Sequence, residues 1–215
     1  SFRDVREVMG KANDEKSGDR LAGVAAETPQ ERVAARVVLS RLTVKDICEN
    51  PAVPYEQDEV TRLILDDLNL HIYRELQSLT IGELRERILA AQPEELTRLR
   101  RGLSSEVIAA VCKLMSNLDL IYAAAKIRVE ATCVTTIGKP GTLSVRLQPN
   151  HPTDDVEGIT ASVLEGLSYG AGDAVIGLNP VDASTASVHA ILSRFQELKQ
   201  KYDIPTQICV LAHVT

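Results

Sequence analysis

The sequence predicts an α/β fold in which a helical region precedes a set of alternating strands and helices. Up to about residue 127, apolar residues recur at helical spacing behind capping residues. From about residue 128, runs rich in Val, Ile and Leu alternate with amphipathic stretches at intervals of ~30 residues, as in the βα units of a parallel sheet. We therefore expect a helical domain at 1–127 and a strand–helix–strand–helix–strand domain at 128–215.

In the helical half, capping signals and the pairs Asn50-Pro51, Val53-Pro54 and Gln92-Pro93 indicate where helices begin and end. Thr28, Pro29 and Glu31 form one predicted capping box, and Thr80 with Glu83 forms another. The apolar stripes expected to face the core are Val33, Ala34, Val37, Val38 and Leu42; Val60, Leu63, Ile64 and Leu68; Leu84 and Ile88; and Val107, Ile108, Val111, Cys112 and Met115.

The second half begins with a β-rich stretch at 129–137 and a Gly-Lys-Pro-Gly turn at 138–141. Three strands are predicted at about 143–148, 174–179 and 207–214. Thr153 or Asp154 is expected to cap the first intervening helix, whose buried side would include Val156, Ile159, Val163 and Leu167. The second helix is expected near 184–201, with Val188, Ile191, Leu192, Phe195 and Leu198 inward.

The third predicted strand reaches almost to the last residue of the sequence. A parallel strand is normally covered on both faces and paired at its edge. Three βα units are also too few for an eight-stranded barrel, which takes about 250 residues. We therefore expect the chain to be the front part of a longer protein.

Composition excludes several classes of partner. The net charge is −6, and no basic tail or Lys/Arg stripe occurs, which argues against nucleic acid or an anionic membrane as the main partner. No apolar run approaches the ~18 residues of a membrane span. The four cysteines are widely spread and predict cytosolic free thiols, and the histidine spacing predicts no metal site.

Polar residues near the ends of the first two predicted strands mark a candidate site. Arg146 and Gln148 alternate along the first strand, and Asn179 ends the second, just before Pro180. Such groups are costly on a buried strand unless a polar ligand meets them. In α/β folds, ligands bind at the carboxyl ends of the strands. The alternatives are that Arg146 forms an ion pair within the fold and that Asn179 is a turn residue.

Other polar features are better explained by structure. His213 fits a structural role at the end of the third strand better than a catalytic one. Gly138-Lys139 lacks the spacing of a phosphate loop. Asp66-Asp67 fits a solvated helix face, and Asp154-Asp155 fits the amino end of a helix.

Several collinear blocks of the sequence resemble the amino-terminal region of the ethanolamine ammonia-lyase large subunit. The likeness spans nearly the whole chain, at 17–26, 30–35, 105–111, 116–122, 135–142, 146–150, 172–177 and 210–215. Among these blocks are Arg-Leu-Gln-Pro-Asn at 146–150 and Thr-Thr-Ile-Gly-Lys-Pro-Gly-Thr at 135–142.

This resemblance implies a radical enzyme that uses adenosylcobalamin to convert ethanolamine to acetaldehyde and ammonia in a (β/α)8 TIM barrel, which would be incomplete in this chain. It makes Arg146, Gln148 and Asn179 substrate-contacting residues and Pro180 a corrin-contacting one. The family's acidic substrate ligands come from later strands and have no counterpart here, so we expect the chain alone to be inactive. The resemblance also implies a small-subunit partner, a large-subunit homo-oligomer and the bacterial cytoplasm, within an ethanolamine-utilisation microcompartment.

Two other functions are compatible with the sequence. The long helical half and the incomplete barrel would suit a non-catalytic helical module for assembly. Alternatively, the chain could belong to another cobalamin-dependent eliminase that acts on a related amino alcohol or diol.

Overall fold

A computed structural model describes residues 1–212 of the chain. It contains many short helices and two small sheets, which confirms the α/β class. The chain forms two compact units, the first comprising Ser1–Arg128 and the second beginning at Val129. Within the described residues, no helix has both the length and the apolar character that crossing a bilayer requires.

The first unit consists of ten α-helices and one 3₁₀ turn, Arg100–Gly102. The helices are α1 (Val5–Lys11), α2 (Ser17–Leu21), α3 (Pro29–Leu39), α4 (Val44–Cys48), α5 (Glu59–Asp66), α6 (Leu70–Leu76), α7 (Ile81–Ala90), α8 (Pro93–Leu99), α9 (Ser105–Leu114) and α10 (Asn117–Lys126). Most are two or three turns long, so side-chain caps and tertiary packing must stabilise them.

The predicted capping residues are found, with one difference in their contacts. At α7, Thr80 accepts a hydrogen bond from the Glu83 N–H, and the Glu83 carboxylate accepts one from the Thr80 N–H, so this capping box is confirmed. At α3, Thr28 caps as predicted, but the Glu31 carboxylate accepts from the Glu27 N–H instead. The carboxylate therefore binds one residue further out than a capping box requires.

The predicted inward stripe of α3 is wrong except for Leu42, which is partly buried and packs against the core. Ala35 and Leu39 are the fully buried residues of this helix, whereas Val33 and Val37 are 60% and 46% exposed. Helices α1 and α9 both pack against α3, and Ala35 and Leu39 belong to the same core cluster as Val8 and Val107. The helix is therefore rotated so that its small residue, and not its valines, faces the core.

The predicted stripe on α5 is also largely exposed. No residue of α5 is buried, and Val60 and Leu63 are 51% and 65% exposed. By contrast, Leu84, Val107 and Val111 are buried as predicted, and Ile88 packs against the same core. This core gathers side chains from most helices of the first unit.

The second unit opens with a short antiparallel hairpin. Strands β1 (Ala131–Thr132) and β2 (Thr136–Ile137) pair within the predicted β-rich stretch. The predicted turn follows, with positive φ angles of 86° at Gly138 and 75° at Gly141. Glycine tolerates this backbone region without steric cost, which accounts for both ends of the Gly-Lys-Pro-Gly sequence.

The main sheet of the second unit is parallel, as predicted. Strands β3 (Arg146–Leu147), β4 (Val175–Leu178) and β5 (Gln207–Val210) pair in that order, with β4 in the middle. Each is shorter than its predicted range. The last residues of the third predicted strand, His213 among them, lie outside the described residues.

Helices α11 (Val156–Ser168) and α12 (Thr185–Lys201) connect the three strands and cover one face of the sheet. Ile159 and Val163 of α11 and Ile191, Phe195 and Leu198 of α12 are buried there, as predicted. The strand residues that join this core are Leu147, Ile176, Leu178, Ile208 and Val210. Because strand side chains alternate, the intervening residues lie on the opposite face.

Candidate functional site

The face of the sheet away from α11 and α12 carries Arg146. Arg146 lies opposite Val175 in the sheet, and Gly177 lies opposite Cys209, so all four share this face. An arginine on the helix-covered face would sit among aliphatic side chains and lose its hydration. The alternation of β3 places the guanidinium on the other side, where the residue stays exposed.

The Arg146 side chain extends across the middle strand. A Cβ built on Gly177 would lie 2.7 Å from Nη2 and 3.0 Å from Cζ of Arg146. The same point lies 2.6 Å from Cys209 Sγ. The guanidinium and the thiol therefore both occupy the space above Gly177.

Gln148 and Asn179 lie just beyond the carboxyl ends of β3 and β4, and both are exposed. Asn150 connects these two strand ends. Its backbone N–H donates to the Gln148 carbonyl at 3.0 Å, and its Oδ1 accepts from the Asn179 N–H at 3.0 Å. This role of Asn150 was not predicted from the sequence, although asparagine often binds nearby backbone in turns.

The loop that contains Pro180 is held by Asp154. The Asp154 carboxylate accepts from the Val181 N–H at 2.8 Å and from the Asp182 N–H at 2.7 Å. Together, Asn150 and Asp154 fix the backbone on both sides of Pro180. This clamp joins the loop after β3 to the loop after β4.

The expectation that Thr153 or Asp154 caps α11 is wrong by one residue. Asp155 is the N-cap, and its carboxylate accepts from the Gly158 N–H at 2.7 Å. Asp154 instead adopts a positive φ of 53°. Aspartate tolerates the left-handed region better than most residues, and this conformation accompanies the contact of its carboxylate with the neighbouring loop.

A second carboxylate at this end stabilises the start of α12. Asp182 accepts from the hydroxyl of Ser184 at 2.7 Å and from its N–H at 2.9 Å. These hydrogen bonds lower the pKa of Asp182, and the one from the hydroxyl has the largest effect. Ser184 in turn caps α12, so the β4–α12 loop has a defined conformation throughout.

At the amino end of the strands, Asp173 stabilises the sheet through hydrogen bonds. Its carboxylate accepts from the Val145 N–H at 2.6 Å and from the Thr135 hydroxyl at 2.9 Å. The Val145 N–H is the largest cause of a lowered pKa for Asp173. This contact ties the hairpin and the start of β3 to the residue that precedes β4.

The predicted site residues therefore lie on adjacent strands and strand ends, but they do not contact one another directly. Within residues 1–212, no hydrogen bond joins the side chains of Arg146, Gln148 and Asn179. The same residues contain no cluster of three or more His, Cys, Asp or Glu side chains that could hold a metal ion. What the arrangement offers is amide and guanidinium donors for a small polar molecule.

Comparison with known proteins gives one consistent match. The family model described as "Ethanolamine ammonia lyase large subunit" matches residues 1–215. Curated ethanolamine ammonia-lyase large subunits from Escherichia coli K12 and from Salmonella typhimurium LT2 are each 53% identical over 216 residues. These alignments cover 100% of this chain but 48% of each relative, so the chain spans about half of their length.

Proposed function

This chain belongs to the ethanolamine ammonia-lyase large-subunit family, and we propose that it forms part of the substrate pocket of such an enzyme. One observation supports this assignment of the pocket. The Arg146 guanidinium extends over the face of the sheet opposite α11 and α12, and Gln148 and Asn179 follow at the carboxyl ends of adjacent parallel strands. This is the end at which α/β proteins bind their ligands.

We further propose that residues 128–215 begin a (β/α)8 barrel and that residues 1–127 form a separate helical domain. Two features support the barrel. Its strands are parallel and its helices cover one face, while the other face carries Arg146, Gly177 and Cys209. In a TIM barrel, the helices lie outside and the alternate strand residues point to the interior.

The chemistry of the three side chains suits ethanolamine. Arg146 can donate hydrogen bonds to the hydroxyl oxygen of the substrate, whereas its charge would repel the ammonium group. Gln148 and Asn179 can donate or accept and can therefore serve either end. An ammonium ion requires carboxylates, and we propose that these come from the part of a full-length large subunit that this chain does not cover.

Adenosylcobalamin is the proposed cofactor, and when bound it supplies the radical chemistry. The residues near Pro180 offer apolar contacts to the methyl groups of a corrin ring. Pro180 is half-buried, Val181 is 70% exposed, and Asp154 holds the backbone beside them. In this proposal Pro180 contacts the corrin, while Arg146, Gln148 and Asn179 orient the substrate and displace water from it.

The proposed active form is an assembly. The relatives are named large subunits, which implies a small-subunit partner. We propose that the large subunit also associates with copies of itself, that the complex works in the bacterial cytoplasm within a microcompartment, and that this chain alone is inactive.

The test uses a large subunit of the relatives' full length that carries this sequence, produced with its small subunit and supplied with adenosylcobalamin. Ethanolamine deamination is measured for the parent, for Arg146→Ala and for Arg194→Ala. Arg194 is a matched control because it forms ion pairs with Glu157 and Glu197 on the helical side of the sheet.

We expect Arg146→Ala to lower kcat/KM by about 10- to 100-fold, the value of one hydrogen bond to a charged donor. Arg194→Ala should stay within about twofold, since exposed ion pairs contribute little. Equal kcat/KM values for parent and Arg146→Ala would reject the site. A parent that ignores ethanolamine but deaminates another amino alcohol, or dehydrates a diol, would identify a different eliminase.

A helical assembly module remains a second candidate for the first unit. Leu118, Ile121 and Tyr122 are 77%, 65% and 57% exposed along one face of α10, and a contiguous exposed apolar face suits a subunit contact. The test introduces Leu118→Glu into the full-length subunit and measures the mass of the assembly by light scattering. A smaller assembly is expected, and an unchanged mass would count against it.

A further inference from the structure

We propose that Gly177 is a positioning residue for the Arg146 guanidinium. The inference deepens the proposed function and rests on it, because it concerns how the substrate-contacting arginine is held. A glycine is an unusual residue at the centre of a sheet. Gly177 lies inside β4, the middle strand, between the bulky residues Ile176 and Leu178.

Glycine is a poor residue for a central strand. It loses more backbone entropy on folding than any other residue and contributes no side chain to packing. Gly177 is not among the residues with positive φ, so its backbone conformation does not require glycine. A glycine in a strand interior commonly marks a place where another group approaches the backbone closely.

At Gly177 the approaching group is the Arg146 side chain. A Cβ at this position would lie 2.7 Å from Nη2 and 3.0 Å from Cζ. The distance of 2.7 Å is one that a real Cβ essentially never shows, and 3.0 Å is tighter than nine in ten real Cβ contacts. Even alanine would therefore displace the guanidinium.

Cys209 restricts where a displaced guanidinium could go. Its Sγ lies 2.6 Å from the same Cβ position, on the neighbouring strand β5. Gly177 thus provides a gap, and the Cys209 side chain borders it on the β5 side. A methyl group in the gap would press on both neighbours, and the end of the arginine side chain is the more flexible of the two.

The relevant variants are Gly177→Ala, Arg146→Ala and the double variant, all in the full-length assembly with its small subunit and adenosylcobalamin. Gly177→Ala should lower kcat/KM for ethanolamine by about tenfold or more, as expected when a charged hydrogen bond is misplaced. The important comparison is the double variant. If Gly177 acts through Arg146, adding Gly177→Ala to Arg146→Ala should change kcat/KM by less than about twofold.

Two controls separate positioning from a loss of structure. Gly18→Ala introduces the same methyl group on an exposed helix, where no atom lies within 4 Å of the new Cβ, and should leave kcat/KM unchanged. Cys209→Ala combined with Gly177→Ala removes the clash with sulfur but keeps the clash with Arg146. For this pair we expect kcat/KM to stay as low as for Gly177→Ala alone, because the arginine remains displaced. A recovered kcat/KM would assign the effect to the clash with sulfur and overturn the inference.

The outcomes are distinguishable. A parent assembly without ethanolamine activity would overturn the proposed function and, with it, this inference. An active parent with an equally active Gly177→Ala variant would overturn the inference alone. So would a Gly177→Ala effect that persists at full size when Arg146 is already alanine, since that would indicate a general defect in the sheet.

Discussion

The clamp formed by Asp154 gives a prediction that can be worked out from individual hydrogen bonds. Its carboxylate accepts two backbone N–H groups of the β4–α12 loop, at 2.8 Å from Val181 and 2.7 Å from Asp182. Asp154 also holds a positive φ of 53°. Substitution therefore changes two separable quantities, the hydrogen bonds and the backbone strain.

The magnitudes differ among three variants. A hydrogen bond to a charged group contributes about 1.5–3 kcal/mol, but both donors lie in exposed residues and can bind water, so we take about 1–2 kcal/mol for the pair. Asp154→Gly loses these bonds, and the strain that it relieves by having no Cβ is offset by the greater backbone entropy that glycine loses on folding. Asp154→Ala keeps a Cβ in the left-handed region but lacks the polar side chain that makes this region tolerable for aspartate, so it adds about 1 kcal/mol to the loss of the bonds and costs about 2–3 kcal/mol in total. Asp154→Asn keeps one acceptor and should cost about 1 kcal/mol.

Urea unfolding of the chain, followed by circular dichroism, measures these differences. The expected order of stability is parent, then Asp154→Asn, then Asp154→Gly, then Asp154→Ala, with similar m values throughout. The difference between the glycine and alanine variants isolates the backbone term. If alanine were as stable as glycine, the strain argument would fail, and if all three matched the parent, the clamp would have no energetic role.

Two further predictions concern the packing of α3 and the effect of pH. Leu39→Ala should lower the free energy of unfolding by about 2–5 kcal/mol, because Leu39 is fully buried. Val33→Ser should change it by less than about 0.5 kcal/mol, because Val33 is exposed. Thermal unfolding measures both effects, and equal effects would contradict the packing of α3. The pKa of Asp173 in the folded state lies below the usual 3.8 of an aspartate, because its carboxylate accepts a hydrogen bond from the Val145 N–H. The stabilising effect is therefore complete above that pH and disappears as the pH falls through the lowered pKa. As the pH falls through this acidic range, the Asp173→Asn variant should therefore lose less stability than the parent. The free energy of unfolding is measured against pH for both proteins, and curves of equal slope would refute the assignment.

The order and type of the main elements could be read from local sequence. Thr80 and Glu83 sit three residues apart at the start of α7, and a capping box depends on no distant residue. The buried residues of α12 follow the helical period in a segment whose opposite face is clearly polar. The predicted strand ends also agree with the positions of Gln148 and Asn179, which directly follow β3 and β4, whereas Arg146 begins β3 and pairs with Val175, the first residue of β4.

Helix α3 illustrates what the pattern left open. Its sequence offers valines on one side and Ala35 with Leu39 on another, so two faces could serve as the apolar one. The face that packs in the core is the one with Ala35 and Leu39, and helices α1 and α9 both contact α3. This choice depends on the shape of the partner helix, which the local period does not contain.

The site depends still more on contacts between distant residues. Asn150 meets Asn179 across 29 residues of sequence, and Asp154 meets Val181 across 27. The fit of the Arg146 guanidinium over Gly177 likewise exists only once β3 and β4 pair in register. The sequence by itself determined which elements form and which polar groups reach the strand ends, because these follow from local periodicity and turn chemistry. Only the tertiary structure decided which backbone groups those side chains hold and where space is left for them, because these are properties of atoms brought together by strand pairing.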